Sequence, residues 1–203
     1  MIRPLLLTSA VLMLAACGAP DSEPSPTAPP EGPTEPSAPA TPVDANAVTA
    51  QGWGPLRIGM TRAEVVAALG PDANPDAVGG PDPESCDMFR PERAPQGLMV
   101  MVENGVLTSL WLSRDATLKT DRGFGVGDEA AAIKSAYGTA ATASPHKYSE
   151  APAEYITAWS SGGGADYVQD PTSRGISYHI GNDGRVQHVA AGGPSIQYVE
   201  GCA

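Results

Sequence analysis

Two stretches of the chain carry the same succession of apolar and polar positions. The first is Ile58-Gly59-Met60-Thr61, followed by Val65, Leu69 and Gly70. The second is Val126-Gly127-Asp128-Glu129, followed by Ile133, Tyr137 and Gly138, with the same 68-residue offset throughout (58 to 126). In each, apolar residues four apart make a helical stripe, and a glycine closes it. Thr61 with Glu64 three residues on forms a capping box, and Met60 and Val65 occupy the staple positions around it. Pro71 stops the first helix after Gly70. In the second stretch Asp128 is the expected cap.

Strands follow each helix. Leu98 to Glu103 and Val106 to Leu112 flank Asn104-Gly105, a strong hairpin signal. Ile176 to Gly181 and Arg185 to Ala190 flank Asn182-Asp183-Gly184. Ser85–Phe89 and Tyr155–Ser160 fit earlier strands, and Ala116–Lys119 and Ser195–Glu200 fit later ones. The pattern therefore predicts an α+β fold of two tandem repeats, 51–120 and 121–203. Each repeat would pack one helix on a roughly four-stranded antiparallel sheet.

With a two-residue Asn-Gly turn, Leu98, Val100, Val102, Leu107 and Trp111 share one face of the first hairpin. Met99, Met101, Thr108 and Leu110 share the other. A register shift of one residue would carry Trp111 across. Both faces are apolar, so Met99, Met101 and Leu110, with Trp111, are a candidate docking patch for a partner. The competing reading packs this face on the other repeat, since two small units need a shared core. Trp53 and Trp159 are expected as packing residues, with glycan stacking as the alternative. His179 and His188 are expected to face each other across the second hairpin, and His179 joins the candidate partner-binding residues.

Ahead of the body lies a different kind of sequence. Arg3 precedes a short apolar run from Leu5 to Leu14, and Leu14-Ala15-Ala16-Cys17 follows. Residues 1–16 read as a cleaved export signal; the apolar run is too short to span a bilayer comfortably. Residues 19–43 hold nine prolines among Ala, Ser, Thr and Glu. Such a segment has little to bury, so 17–50 is expected to be an extended, disordered tether.

The formal net charge of −11 narrows the partners. Residues 18–50 contain five acids and no base, and the body has 18 acids against 11 bases. A negative surface repels phosphate, so nucleic acid is not expected as a partner. With Cys17 assigned to lipid, Cys86 and Cys202 remain in an oxidising compartment, and the simplest outcome is that they pair.

Leu14-Ala15-Ala16-Cys17 resembles the lipobox of bacterial lipoproteins. That resemblance implies diacylglycerol on Cys17 and an acylated amino terminus. The family's inner-membrane retention signal, an Asp after the cysteine, is replaced here by Gly18. This favours the outer membrane, on its periplasmic side. In the body, Leu56-Arg57-Ile58-Gly59-Met60-Thr61 leading to Leu69-Gly70 is similar to small outer-membrane assembly lipoproteins of the SmpA/OmlA (BamE) type. The tandem arrangement is similar to the β-lactamase inhibitor protein. Both resemblances imply a binding protein that is not an enzyme. The duplication and the long Pro-rich segment depart from the single-unit lipoproteins, so no specific partner carries over.

Catalytic motifs are missing from the sequence. There is no GxSxG elbow, HExxH or P-loop, and the three histidines lack metal-ligand spacing. Asp72-Ala73-Asn74-Pro75-Asp76 echoes the start of a calcium loop, but Ala77 stands where Gly is needed and Pro83 where Glu is needed. No cofactor or metal is expected. The leading expectation is a membrane-anchored envelope lipoprotein acting as a non-catalytic protein-binding module, a scaffold or an inhibitor. A glycan- or peptidoglycan-binding module is the alternative, and an enzyme with an unfamiliar site is the third.

Overall fold

The structure is a computed structural model that describes residues 44–77, 79–162 and 167–202. The export signal, Cys17 and the Pro-rich stretch to residue 43 lie outside the described residues.

The described residues are mostly β. Nine strands follow in order among them: β1 (Gly52–Trp53), β2 (Leu56–Arg57), β3 (Cys86–Phe89), β4 (Leu98–Glu103), β5 (Val106–Leu112), β6 (Thr142–Pro145), β7 (Glu154–Trp159), β8 (Gly175–Ile180) and β9 (Val186–Gly192). The two helices, α1 (Arg62–Leu69) and α2 (Ala130–Tyr137), have eight residues each. β1 and β2 form a small two-stranded sheet; the rest form one antiparallel sheet in the order β3-β4-β5-β9-β8-β7-β6.

This overturns the expected α+β architecture of two helix-on-sheet repeats. The two hairpins do not head separate sheets, because β5 pairs directly with β9, from Ser109↔Gly192 to Leu112↔Val189. An unpaired β5 or β9 would expose a row of backbone donors and acceptors beside apolar side chains, and fusing the hairpins removes both edges. Small residues permit the seam. A Cβ on Gly192 would lie 2.4 Å from the Thr108 carbonyl oxygen, and the residue sits at φ +149°. Both helices lie over one face of the fused sheet and share a single core. Val65 and Leu69 of α1 and Ile133 of α2 pack there with Leu98, Val100, Leu110, Ile156 and Tyr178.

Local sequence devices still build the parts. Thr61 caps α1: its Oγ1 accepts from the Glu64 amide at 3.3 Å, and the Glu64 carboxylate accepts from the Thr61 amide at 2.7 Å. Thr61→Ala is expected to lower stability by about 1 kcal/mol, read from the urea midpoint. The cap of α2 is Glu129, not Asp128, and its side chain makes no capping bond. Asp128 instead accepts from the Gly125 amide at 2.7 Å and pairs with Lys119 at 2.7 Å. Each helix start is tied to a hairpin in the same way. The Arg62 amide donates to Gly105 O (2.8 Å) and the Ala130 amide to Gly184 O (3.0 Å).

Other expected elements differ. Residues 116–119 are not a strand, and the C-terminal run contains a short 3-10 helix, Pro194–Gln197, where a strand was expected. The stretch assigned to the tether includes part of the body. Val48 is fully buried, with its amide donating to Lys119 O at 2.9 Å and its carbonyl accepting from the Asp121 amide at 3.0 Å.

A bulge in each hairpin decides which side chains face which side. In the first, Met101 opposes Ser109 while Val102 opposes Leu107, so Thr108 is the extra residue. In the second, His179 opposes His188 while Ile180 opposes Val186, so Gln187 is extra. Each extra residue flips the strand beyond it. Leu110 and Leu112 therefore join the helix-side core, and Trp111 moves to the opposite face beside Met99 and Met101.

Candidate functional site

The face of the sheet away from the helices divides into two halves of different chemistry. On β3, β4 and β5 it presents Met88, Met99, Met101 and Trp111, which form a second apolar cluster with Trp159 of β7, Ala190, Ile196 and Cys202. The C-terminal segment from Gly193 to Cys202 lies across this half as a strap. Its own Ile196 is fully buried, and the Cys86–Cys202 disulfide ties its end to β3. Gln197 fastens it further: its side chain accepts from the Val168 amide (2.9 Å) and donates to Val168 O and Pro194 O (2.9 Å each).

The strap changes the standing of the expected docking patch. Met101 is 0% exposed and Trp111 8%, with the Trp111 indole donating to Ser109 Oγ at 2.9 Å. Leu110 is fully buried on the other face. These residues thus do not form one surface. The bulge separates Leu110 from the methionines, and the strap covers the rest.

The other half of this face, on β6, β7 and β8, is polar. Antiparallel pairing places Thr142 opposite Thr157, and Thr157 opposite Ser177. A second row runs Ser144, Tyr155, His179, His188. The Thr157 and Ser177 hydroxyls are 3.0 Å apart and hydrogen-bonded. Their alternation with Ile156, Ile176 and Tyr178 is what lets one strand bury an apolar side toward the helices and a hydroxyl side away from them.

Thr142, Ser144, Thr157 and Ser177 form the floor of a cavity of about 180 Å³. Its walls are Tyr155, Trp159, Tyr167 and His179, with Ile196 and Gln197 of the strap. Among the described residues, no Asp, Glu, Lys or Arg lines it. Trp159 is 8% exposed, its ring filling the space where a Cβ on Gly175 would stand. Tyr167, at 58% exposed, stands at the rim. The structure thus brings Trp159 and His179 to one site among the sequence candidates, and leaves Met99, Met101, Leu110 and Trp111 outside it. Tyr155, Thr157, Tyr167 and Ser177 were missed. A period-two hydroxyl pattern within apolar strands was their only signal, and it does not separate a cavity floor from a solvated face.

His179 is the chemically unusual member. Its ring meets Tyr155 (4.9 Å between centroids), Trp111 (5.3 Å) and His188 (6.4 Å), and His146 stacks on the far side of the cluster against Tyr155 at 4.8 Å. Its buried Nε2 has no hydrogen-bond partner. Burial, reinforced by His188 and His146, pushes its pKa down to about 3. His188 is pushed down as well, by burial and then by Arg114. Both imidazoles are therefore neutral at ordinary pH.

A pH dependence follows. The folded His179 value lies below the unfolded 6.5, so the unfolded chain binds the extra proton between these limits. The contribution of a neutral His179 is complete above pH 6.5 and is lost as pH falls toward 3, with His188 acting in the same direction. Unfolded carboxylates titrate near 4.3, so a fall in the urea midpoint between pH 6.5 and 5 reports the histidines. His179→Phe is expected to flatten that slope.

A second cavity, of about 360 Å³, lies beside the strap's start, between Ile58, Val106, Leu107, Pro171 and Tyr198. Ser195 Oγ lines it and is buried without a partner. Burial and the neighbouring Glu103 push the Tyr198 hydroxyl up to about 12. Among the described residues, no group of three or more His, Cys, Asp or Glu is placed to hold a metal, and no helix is long and apolar enough to cross a membrane.

No protein-family profile and no curated protein matches the chain. Among solved structures, it is similar to an extracellular protein containing a SCP domain from Bacillus anthracis str. Ames. That likeness has 7% identity and a TM-score of 0.38, and it covers 67% of this chain. The matched region spans 44% of the length of that protein. A likeness at this level carries no argument about function or location.

Proposed function

We propose that this chain is an exported lipoprotein, held through Cys17 at the periplasmic side of the outer membrane, that binds an envelope component without transforming it. The lipobox-like Leu14-Ala15-Ala16-Cys17 supports the anchor. The observation that carries the binding reading is the hydroxyl-floored, aromatic-walled cavity on β6, β7 and β8. Buried sites of this kind, with a few polar groups set among aromatic walls, are where ligands are held.

The non-catalytic reading rests on the same residues. A nucleophile needs a base within hydrogen-bonding reach, and His179 Nε2 pairs with none of the nearby hydroxyls. A carboxylate pair or an activated lysine is also lacking among the described lining residues. A protein docking on Met101 and Trp111, as a scaffold or inhibitor would, would first have to displace the strap.

Mass spectrometry under native conditions tests this reading on lipidated chain drawn from its own envelope. The expected spectrum shows acyl mass on Cys17 and a bound adduct that is lost in Tyr167→Ala. Unmodified Cys17 overturns the anchor. A spectrum of bare protein, or an adduct indifferent to Tyr167→Ala, overturns the binding site.

A further inference from the structure

We infer that the cavity's ligand is an uncharged saccharide, held by one ring. This rests on the binding reading above and adds the chemical class of the ligand. Four side-chain hydroxyls, Thr142, Ser144, Thr157 and Ser177, meet at the floor. Hydroxyls donate and accept alike, which matches the dual character of sugar hydroxyls and gives no preference to a charged group. The bond between Thr157 and Ser177 leaves each oxygen with further capacity.

The walls supply the complementary part. Trp159 and Tyr167 present aromatic surface, and the C–H face of a sugar ring is apolar where its edge is polar. Tyr155 is less suited to stacking, because His146 already covers one of its faces at 4.8 Å. His179 adds a neutral imidazole whose buried Nε2 is unsatisfied. Such a group is rare in a folded chain and marks a place where the protein alone does not complete its hydrogen bonding.

Size and charge narrow the class. At about 180 Å³ the cavity falls below the roughly 300–1,000 Å³ usual for drug-sized ligands, so it takes a single ring, the rest of a longer glycan lying outside. The chain carries a net charge of −11, and no cation lines the cavity among the described residues. An anionic sugar would be desolvated without a partner and repelled by the surrounding field.

The test is a titration of the full lipidated chain, reconstituted in lipid nanodiscs, with chitotriose, cellotriose and maltotriose. Intrinsic tryptophan fluorescence gives the readout, because Trp159 lines the site. At least one of the three is expected to bind saturably, and a glucuronate-terminated trisaccharide to bind at least tenfold more weakly. Tyr167→Ala, at an exposed position, is expected to weaken binding by about 3–10-fold. Thr157→Val should do so by about 5–10-fold. Saturable binding that both variants leave unchanged places the sugar elsewhere and overturns the inference. Absence of binding by all three sugars overturns it too. In that case a native adduct that depends on Tyr167 keeps the cavity as a binding site for another class of ligand, and its absence removes both readings.

Discussion

Replacing Cys86 and Cys202 together by alanine is expected to lower the unfolding free energy by about 4–5 kcal/mol, the loss calculated for opening a loop of this size. The bridge joins residues 116 positions apart, so it restricts most of the described body in the unfolded state. Its native-state effect is local and just as testable. The strap would be left with the Gln197 bonds, the buried Ile196 and the contact between Tyr148 and Glu200. Urea unfolding measures the global loss, and acrylamide quenching measures access to Trp111 and Trp159. A midpoint that barely moves, with quenching unchanged, would mean that packing alone holds the strap and that the bridge has little mechanical role.

Leu110→Ala is expected to cost about 2–5 kcal/mol, as a fully buried leucine in a shared core does. Met99→Ala, at a half-buried position under the strap, is expected to cost less than half of that. The contrast is specific to the bulge at Thr108. Without the bulge, Leu110 would share a face with Met99 and Met101, and the two substitutions would have similar effects. Paired urea titrations decide between these arrangements.

The sequence was most informative where a local rule acts within a few residues. Thr61 and Glu64 cap α1 as their spacing requires, and Asn104-Gly105 turns the first hairpin with φ +49° and +79°. Cys86 and Cys202 pair. The larger plan was not legible, because its determinants act between distant segments. The seam between β5 and β9 depends on Ala190, Ala191 and Gly192 meeting Ser109, Leu110 and Trp111. Read alone, those small residues look like the fading end of a strand. The bulges at Thr108 and Gln187 insert one residue each, and nothing in residue type distinguishes them from paired neighbours.

The same limit hid the site. Ser177 and His179 alternate with Ile176, Tyr178 and Ile180, a pattern that also fits a half-solvated strand, yet both are buried. Their cover is the strap, whose Pro194–Gln197 helix overlaps the expected strand Ser195–Glu200. Residue type singles out Trp159, but not its companions Thr157 and Tyr155. Only the pairing of β6 with β7, and of β7 with β8, collects Thr142, Thr157 and Ser177 into one floor. β6 itself carried no recognised strand pattern, being the short run Thr142-Ala143-Ser144-Pro145. Its proline suits an edge, where a missing donor costs no ladder bond.

We propose that this protein meets its ligand on the polar half of the second sheet face. Hydrogen exchange on the lipidated chain, with and without solubilised envelope from the same cells, reads this out. Added protection is expected in Thr142–Pro145, Glu154–Trp159 and Gly175–Ile180 alone, with little change in α1 or α2. Protection centred on the helices, or on the Ile58–Val106 cavity, with β6, β7 and β8 unchanged, would place the ligand elsewhere.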